Sequence, residues 1–182
     1  MSDHKHVEES GCVIRIVQDD EPMNPREWDN LGTILYTSTR YTLGDKQVPG
    51  HEIKEITERD DVIWLPVYAY IHSGIALSTS GFSCPWDSGM CGIIYVETET
   101  ARKEWGDDFS EEKVKQCLQA EIKAFDQYLA GDIYGYIVEK SGEHVGSCWG
   151  FYGDPGIEDA ISQAREVAKF EKEEAEWAAC QT

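Results

Sequence analysis

Between His72 and Cys91 the chain gathers a histidine, two cysteines, an aspartate and several serines on a stretch punctuated by Gly and Pro. Connecting segments of that composition commonly carry function. Cysteine catalysis needs a thiolate activated by a neighbouring base that a third group orients. Cys84, His72 and Asp87 supply the three residue types, and would make a small cysteine-dependent hydrolase or transferase with Cys84 as nucleophile, His72 as base and Asp87 as orienter. Against this, no helix start follows Cys84, and no Lys or Arg lies between Asp61 and Ala101 to lower the thiol's pKa. The plainer reading is a Gly/Pro turn whose Cys84 and Trp86 pack against a sheet.

Metal and phosphate chemistry find less support. His4 and His6 stand near the N-terminus as opportunistic ligands at most, and Cys84 and Cys91 lack the short paired spacing of structural zinc sites. Gly81, Gly89 and Gly92 match neither phosphate-binding fingerprint. Neither a metal nor a cofactor is expected. Adjacent acids such as Asp19-Asp20-Glu21 and Asp107-Asp108 are too common in this composition to single out an acid/base pair.

The acids suggest a different use. Glu104, Asp107, Asp108, Glu111, Glu112, Glu121 and Asp126 in one helical region, and Glu158, Asp159, Glu166, Glu171, Glu173, Glu174 and Glu176 in another, could form a negative surface that imitates a phosphate backbone. Such a surface is steered toward the basic channel of a nucleic-acid enzyme. Lys113, Lys115, Lys123, Lys169 and Lys172 dilute it through i,i+4 pairs. Of the six tryptophans, Trp28 and Trp177 are expected to be exposed anchors, and Trp64, Trp86 and Trp149 to be buried.

These residues need elements to hold them. Cys12 to Val17 is β-branched and bounded by an acidic turn, so it reads as a strand, as does Gly32 to Arg40. Residues 46–61 show no firm period. Val62 to Ile71 and Ile75 to Thr79 flank His72-Ser73-Gly74 as an antiparallel pair, and Cys91 to Val96 reads as a central strand. Ser110 is the N-cap of a helix with apolar positions Val114, Leu118, Ile122, Phe125 and Leu129, ended by Gly131. A hairpin around Ser141-Gly142 follows. Asp154-Pro155 then opens a helix with the stripe Ile157, Ile161, Ala164, Ala168, Ala175 and Ala178. The order predicts an α+β fold: a mainly antiparallel sheet with two principal helices packed on one face.

With 182 residues, 41% of them apolar, the chain has enough material for a core, and a single domain over 1–182 is expected, with 1–11 as a disordered tail. Thirty-five acids against 16 bases leave a net charge of −19. That excludes a sequence-independent grip on nucleic acid or anionic lipid. Direct DNA binding would require a local gathering of Arg26, Arg40, Lys46 and Lys54. Cys12, Cys84, Cys91, Cys117, Cys148 and Cys180 are scattered through a chain too large to need staples and read as free thiols. No secretory h-region and no membrane-length apolar run is present, so a soluble protein of a reducing cytosol is expected.

Several phrases occur together: Asp29-Asn30-Leu31-Gly32-Thr33, His72-Ser73-Gly74-Ile75, Phe82-Ser83-Cys84-Pro85-Trp86-Asp87-Ser88-Gly89, Asp126-Gln127-Tyr128-Leu129 and Ser147-Cys148-Trp149-Gly150-Phe151-Tyr152-Gly153. Over roughly residues 24–160 the chain resembles a family of small acidic proteins carried by phages and mobile elements of gut bacteria, which includes type II-A anti-CRISPR (Cas9 inhibitor) proteins. The resemblance implies a protein of the host bacterial cytoplasm that binds the Cas9–guide RNA complex and impairs its binding or cleavage of target DNA. It assigns no residue a role. The expectation is a stoichiometric, non-enzymatic inhibitor of Cas9 or another basic nucleic-acid enzyme, meeting it through Asp107, Asp108, Glu111, Glu112, Glu171, Glu173, Glu174 and Trp177. An acidic adaptor of a mobile element is the remaining alternative.

Overall fold

A computed structural model describes residues 3–84 and 86–180. In chain order the elements are β1 (Asp3–Glu9), β2 (Cys12–Gln18), β3 (Thr33–Tyr36), β4 (Lys46–Gln47), α1 (Gly50–Thr57), β5 (Val62–Ile71), β6 (Ile75–Ser78), β7 (Ser88–Glu97), α2 (Thr98–Trp105), α3 (Glu111–Ala130), β8 (Ile133–Lys140), β9 (Glu143–Tyr152) and α4 (Gly153–Ala179). The fold is α+β. Composition suggests one domain, and contacts sort the chain into two compact units: residues 1–23 with 131–182, and residues 24–130. Each unit has its own sheet and one of the two long helices, where the sequence pattern had placed both helices on a single sheet.

The unit formed by the two ends of the chain holds an antiparallel sheet in the order β1-β2-β8-β9. Residues 3–9, expected as a tail, pair with β2 instead; their side chains, those of His4 and His6 included, lie outside the described ones. The β8–β9 hairpin closes on Ser141 and Gly142, both at positive φ (53° and 86°), the two-residue turn whose twist matches the flanking strands. Alternate residues Cys12, Ile14 and Ile16 of β2 join Tyr136 and Val138 of β8 against Ile157, Ile161, Ala164 and Ala168 of α4. The three alanines Ala160, Ala164 and Ala168, all fully buried, put little side chain between helix and sheet. Of the further stripe positions, Ala175 is exposed, and the side chain of Ala178 lies outside the described residues.

The central unit carries a mixed sheet in the order β4-β3-β7-β5-β6, parallel only between β3 and β4. Val114, Leu118, Ile122 and Phe125 of α3 are buried against Ile34, Val67, Leu77 and Ile94, as the spacing predicted; Leu129 is half-buried. The Ser110 hydroxyl accepts the Lys113 amide at 3.3 Å, a working N-cap. The opposite face is partly covered by α1, whose Ile53 meets Leu35, Val48 and Ile93. Ile93 and Ile94 are therefore both buried, which explains a continuous apolar run at β7 in place of alternation. Residues 46–61 show no firm period because α1 is only eight residues long, with a single buried position, Ile53, too little to set one.

Candidate functional site

A partly buried ion network fixes the segment before β3. Arg26 sends Nε and Nη2 to the two oxygens of Asp45 at 2.9 and 2.7 Å, Nη1 to Glu121 at 2.9 Å, and Nη2 also to the Gly32 carbonyl at 2.7 Å. Glu121 in turn accepts the Leu31 and Gly32 amides at 2.8 and 3.1 Å, and Asp45 accepts the Ile34 amide at 2.7 Å. Only 6% of the Arg26 side chain is exposed. Burial works to lower its pKa, yet the bonds from Asp45 and Glu121 outweigh this and hold the guanidinium above its ordinary value. A Cβ at Gly32 would stand 2.5 Å from Leu118 Cδ2, so only glycine lets the loop approach α3 this closely. The segment Asn30-Leu31-Gly32 is thus held against α3.

Two carboxylates expected on a phosphate-like surface are turned inward as a result. Glu121 belongs to that network, and Asp126 accepts the Leu77 amide at 2.6 Å, tying α3 to the edge strand β6. The basic residues do not gather either: Arg26 is buried, Lys46 and Lys54 pair with Glu52 and Glu58, and Arg40 lies over the Tyr41 ring.

The remaining candidates fall into one group per unit. In the central unit Asp107, Asp108, Glu111 and Glu112 are all exposed at the start of α3. Lys115 neutralises Glu111 at 2.6 Å, and the Lys113 ammonium donates to the Asp108 carbonyl at 3.3 Å. In the other unit Glu173, Glu174 and Trp177 are exposed, while Glu171 is half-buried in an ion pair with Lys140 at 3.2 Å. Phe170, which the acidic pattern hid, is 62% exposed, and Trp177 is 67% exposed. Seven residues apart on a helix, they share one face with Glu173 and Glu174 between them. That i,i+7 spacing was the available signal. Nine residues separate Phe170 from buried Ile161, so the aromatic pair faces away from the core.

Two tryptophans, one in the loop around Cys84 and one on β9, depart from the expected burial. Trp86 is 92% exposed and Trp149 39% exposed, where both were expected to be buried. Trp149 lies over Gly135 of the paired strand, whose missing Cβ makes room for the indole. Trp149 also lines a concavity of about 650 Å³ together with Asp19, Asp20, Glu21 and Met23. Trp28 is exposed as expected, and Trp64 is half-buried.

In the proposed catalytic trio, Asp87 Oδ2 lies 3.5 Å from His72 Nδ1 and 4.0 Å from Cys84 Sγ. Both groups meet the same carboxylate oxygen, whereas a nucleophile–base relay needs the imidazole between thiol and carboxylate. The Ser88 hydroxyl is bound to the Cys84 carbonyl, and Tyr70 packs between His72 and Phe82 with centroid distances of 6.4 and 5.8 Å. These contacts tie His72, Phe82, Cys84 and Asp87 to one another across the loop.

All six cysteines are free thiols. Burial pushes the Cys91 thiol up to about 11. Among the described residues no group of three or more His, Cys, Asp or Glu is placed to hold a metal, and no helix is long and apolar enough to cross a membrane. Compared with protein-family models, curated proteins and solved structures, the chain matches none.

Proposed function

We propose that the chain is a stoichiometric, non-enzymatic binding protein for a basic surface, and that its partner is the Cas9–guide RNA complex in a host bacterial cytoplasm. The observation that carries the binding reading is the outer face of α4. Two large aromatic side chains stand in solvent there, with Glu173 and Glu174 between them. Interfaces are anchored by buried aromatics within a polar rim, and complementary charge speeds the encounter. The choice of Cas9 rests on the sequence resemblance, and its charge fits: Cas9 holds nucleic acid in positively charged channels and reads its PAM with arginines. The acidic start of α3, with Asp107, Asp108, Glu111 and Glu112, is a second contribution to the field.

The test is a titration into guide-loaded Cas9 with target DNA, with DNA binding and cleavage read separately at two salt concentrations. The expected result is saturable loss at a fixed molar ratio, weakened by salt. Phe170→Ala with Trp177→Ala should weaken inhibition at least about tenfold, the effect of losing a hot-spot pair. No effect at excess protein would remove Cas9 as the partner. Full inhibition by the double variant would remove the α4 face.

A further inference from the structure

Within the central unit, a concavity of about 460 Å³ opens between residues 28–31, α2 and α3. Two indoles line it, Trp28 and Trp105, together with the carboxylates Asp29, Glu104 and Glu121, and no Lys, Arg or His is among its lining residues. Glu121 is already committed to Arg26 and to the Leu31 and Gly32 amides, which leaves Asp29 and Glu104 as the acids available to a ligand. We propose that this pocket binds an organic cation, a guanidinium or alkylammonium group held by indole surface and two carboxylates.

The chemistry is specific to that class. An indole face attracts a cation through its ring quadrupole, most strongly among the aromatic side chains, and a carboxylate beside it supplies the counter-charge. An anion finds the reverse: the thiol of Cys117, another lining residue, is held above its ordinary pKa by burial and by Glu121 and Glu104, so negative charge is disfavoured here. A neutral apolar ligand would gain from the indoles but leave the acids without a partner.

The pocket is also built before any ligand arrives. The Asn30 side-chain amide donates to the Pro25 and Trp28 carbonyls, each at 2.9 Å, and the Trp28 amide donates to the Pro25 carbonyl at 3.3 Å. The adjoining residues are pinned to α3 through Arg26 and Glu121. A wall fixed in this way does not have to be ordered on binding, which removes one of the usual costs of association.

The experiment follows the indole N–H signals of the full chain by ¹H–¹⁵N NMR, with Trp28→Phe and Trp105→Phe assigning the two pocket resonances. The probes are choline, N-acetylarginine amide and 3,3-dimethylbutan-1-ol, the last being a neutral isostere of choline. The expected result is a saturable shift of both indole signals by a cation, with the isostere at least about tenfold weaker. Asp29→Asn combined with Glu104→Gln should lower cation affinity by about tenfold while the remaining spectrum is unchanged. Tighter binding of choline would identify a free quaternary amine as the source, and tighter binding of N-acetylarginine amide a basic side chain. Absence of a shift with both cations, or equal binding of the isostere, would overturn the proposal.

Discussion

The two long helices, α3 and α4, are built from the same materials and are used differently. Each is rich in acids, has at least one acid in its first turn and carries an apolar stripe. In α3 the buried positions run from Val114 to Phe125 of a 20-residue helix. Among the described side chains of α4 they end at Ala168, although the helix continues to Ala179. Acids follow the same division: Glu121 and Asp126 of α3 face inward and bond backbone amides, whereas Glu173 and Glu174 of α4 face water. An acidic helix is therefore a scaffold where the sheet supports it and a free surface where it outruns the sheet. In the free part local pairs such as Lys172–Glu176, at 3.9 Å, are the kind of support available.

The sharpest test of this contrast removes the cation that the inward acids depend on. Arg26→Ala takes the cation from half-buried Glu121 and from Asp45 and removes four hydrogen bonds, and urea unfolding should show a loss of about 2–3 kcal/mol. Glu173→Gln with Glu174→Gln should stay within about 0.5 kcal/mol. Equal losses from the two variants would erase the distinction.

Next in size is overpacking. Ala164→Leu inserts a larger side chain where α4 lies on the sheet and should cost about 1–3 kcal/mol, while Ala175→Leu should be neutral within about 0.5 kcal/mol. Thermal midpoints of the two variants, compared with the parent, check this. A destabilised Ala175→Leu would mean that the end of α4 is packed after all.

A further effect concerns pH. Cys91 donates to the Val67 carbonyl at 3.4 Å, and burial raises its thiol to about 11. An unfolded thiol ionises near pH ~8.5. Between these values the unfolded chain binds fewer protons than the folded one, so this contribution to stability falls as pH rises. The difference in stability between parent and Cys91→Ser should therefore shrink from pH 8 toward pH 11. A constant difference would show that the thiol is not shielded.

The least perturbing test is on the surface. Arg59→Gln should raise the pKa of Asp61, which the Arg59 hydrogen bonds hold below the usual carboxylate range. Carboxyl ¹³C titration reads this directly, and no change would mean that the exposed pair is not formed in solution.

Much of this architecture is legible in the residues because the signals are local. The cap at Ser110, the stripe from Val114 to Phe125, the turn at Ser141-Gly142 and the strands β2, β5 and β7 each follow from side-chain shape, spacing and backbone preference within a few residues. The division into two cores, the inward turn of Glu121, the exposure of Trp86 and Phe170, and the pocket beside Trp28 and Trp105 do not follow in that way. They depend on partners far away in sequence: Arg26 meets Glu121 across 95 positions, and Arg15 meets Glu139 across 124. The sequence by itself determined the sign of the charge, the helical and strand periods and the α+β class, since composition and periodicity are properties of the chain. Only the tertiary structure decided which carboxylates hold the fold and which meet water. An acid becomes internal only when a cation and unpaired amides arrive beside it, and that meeting is made by packing.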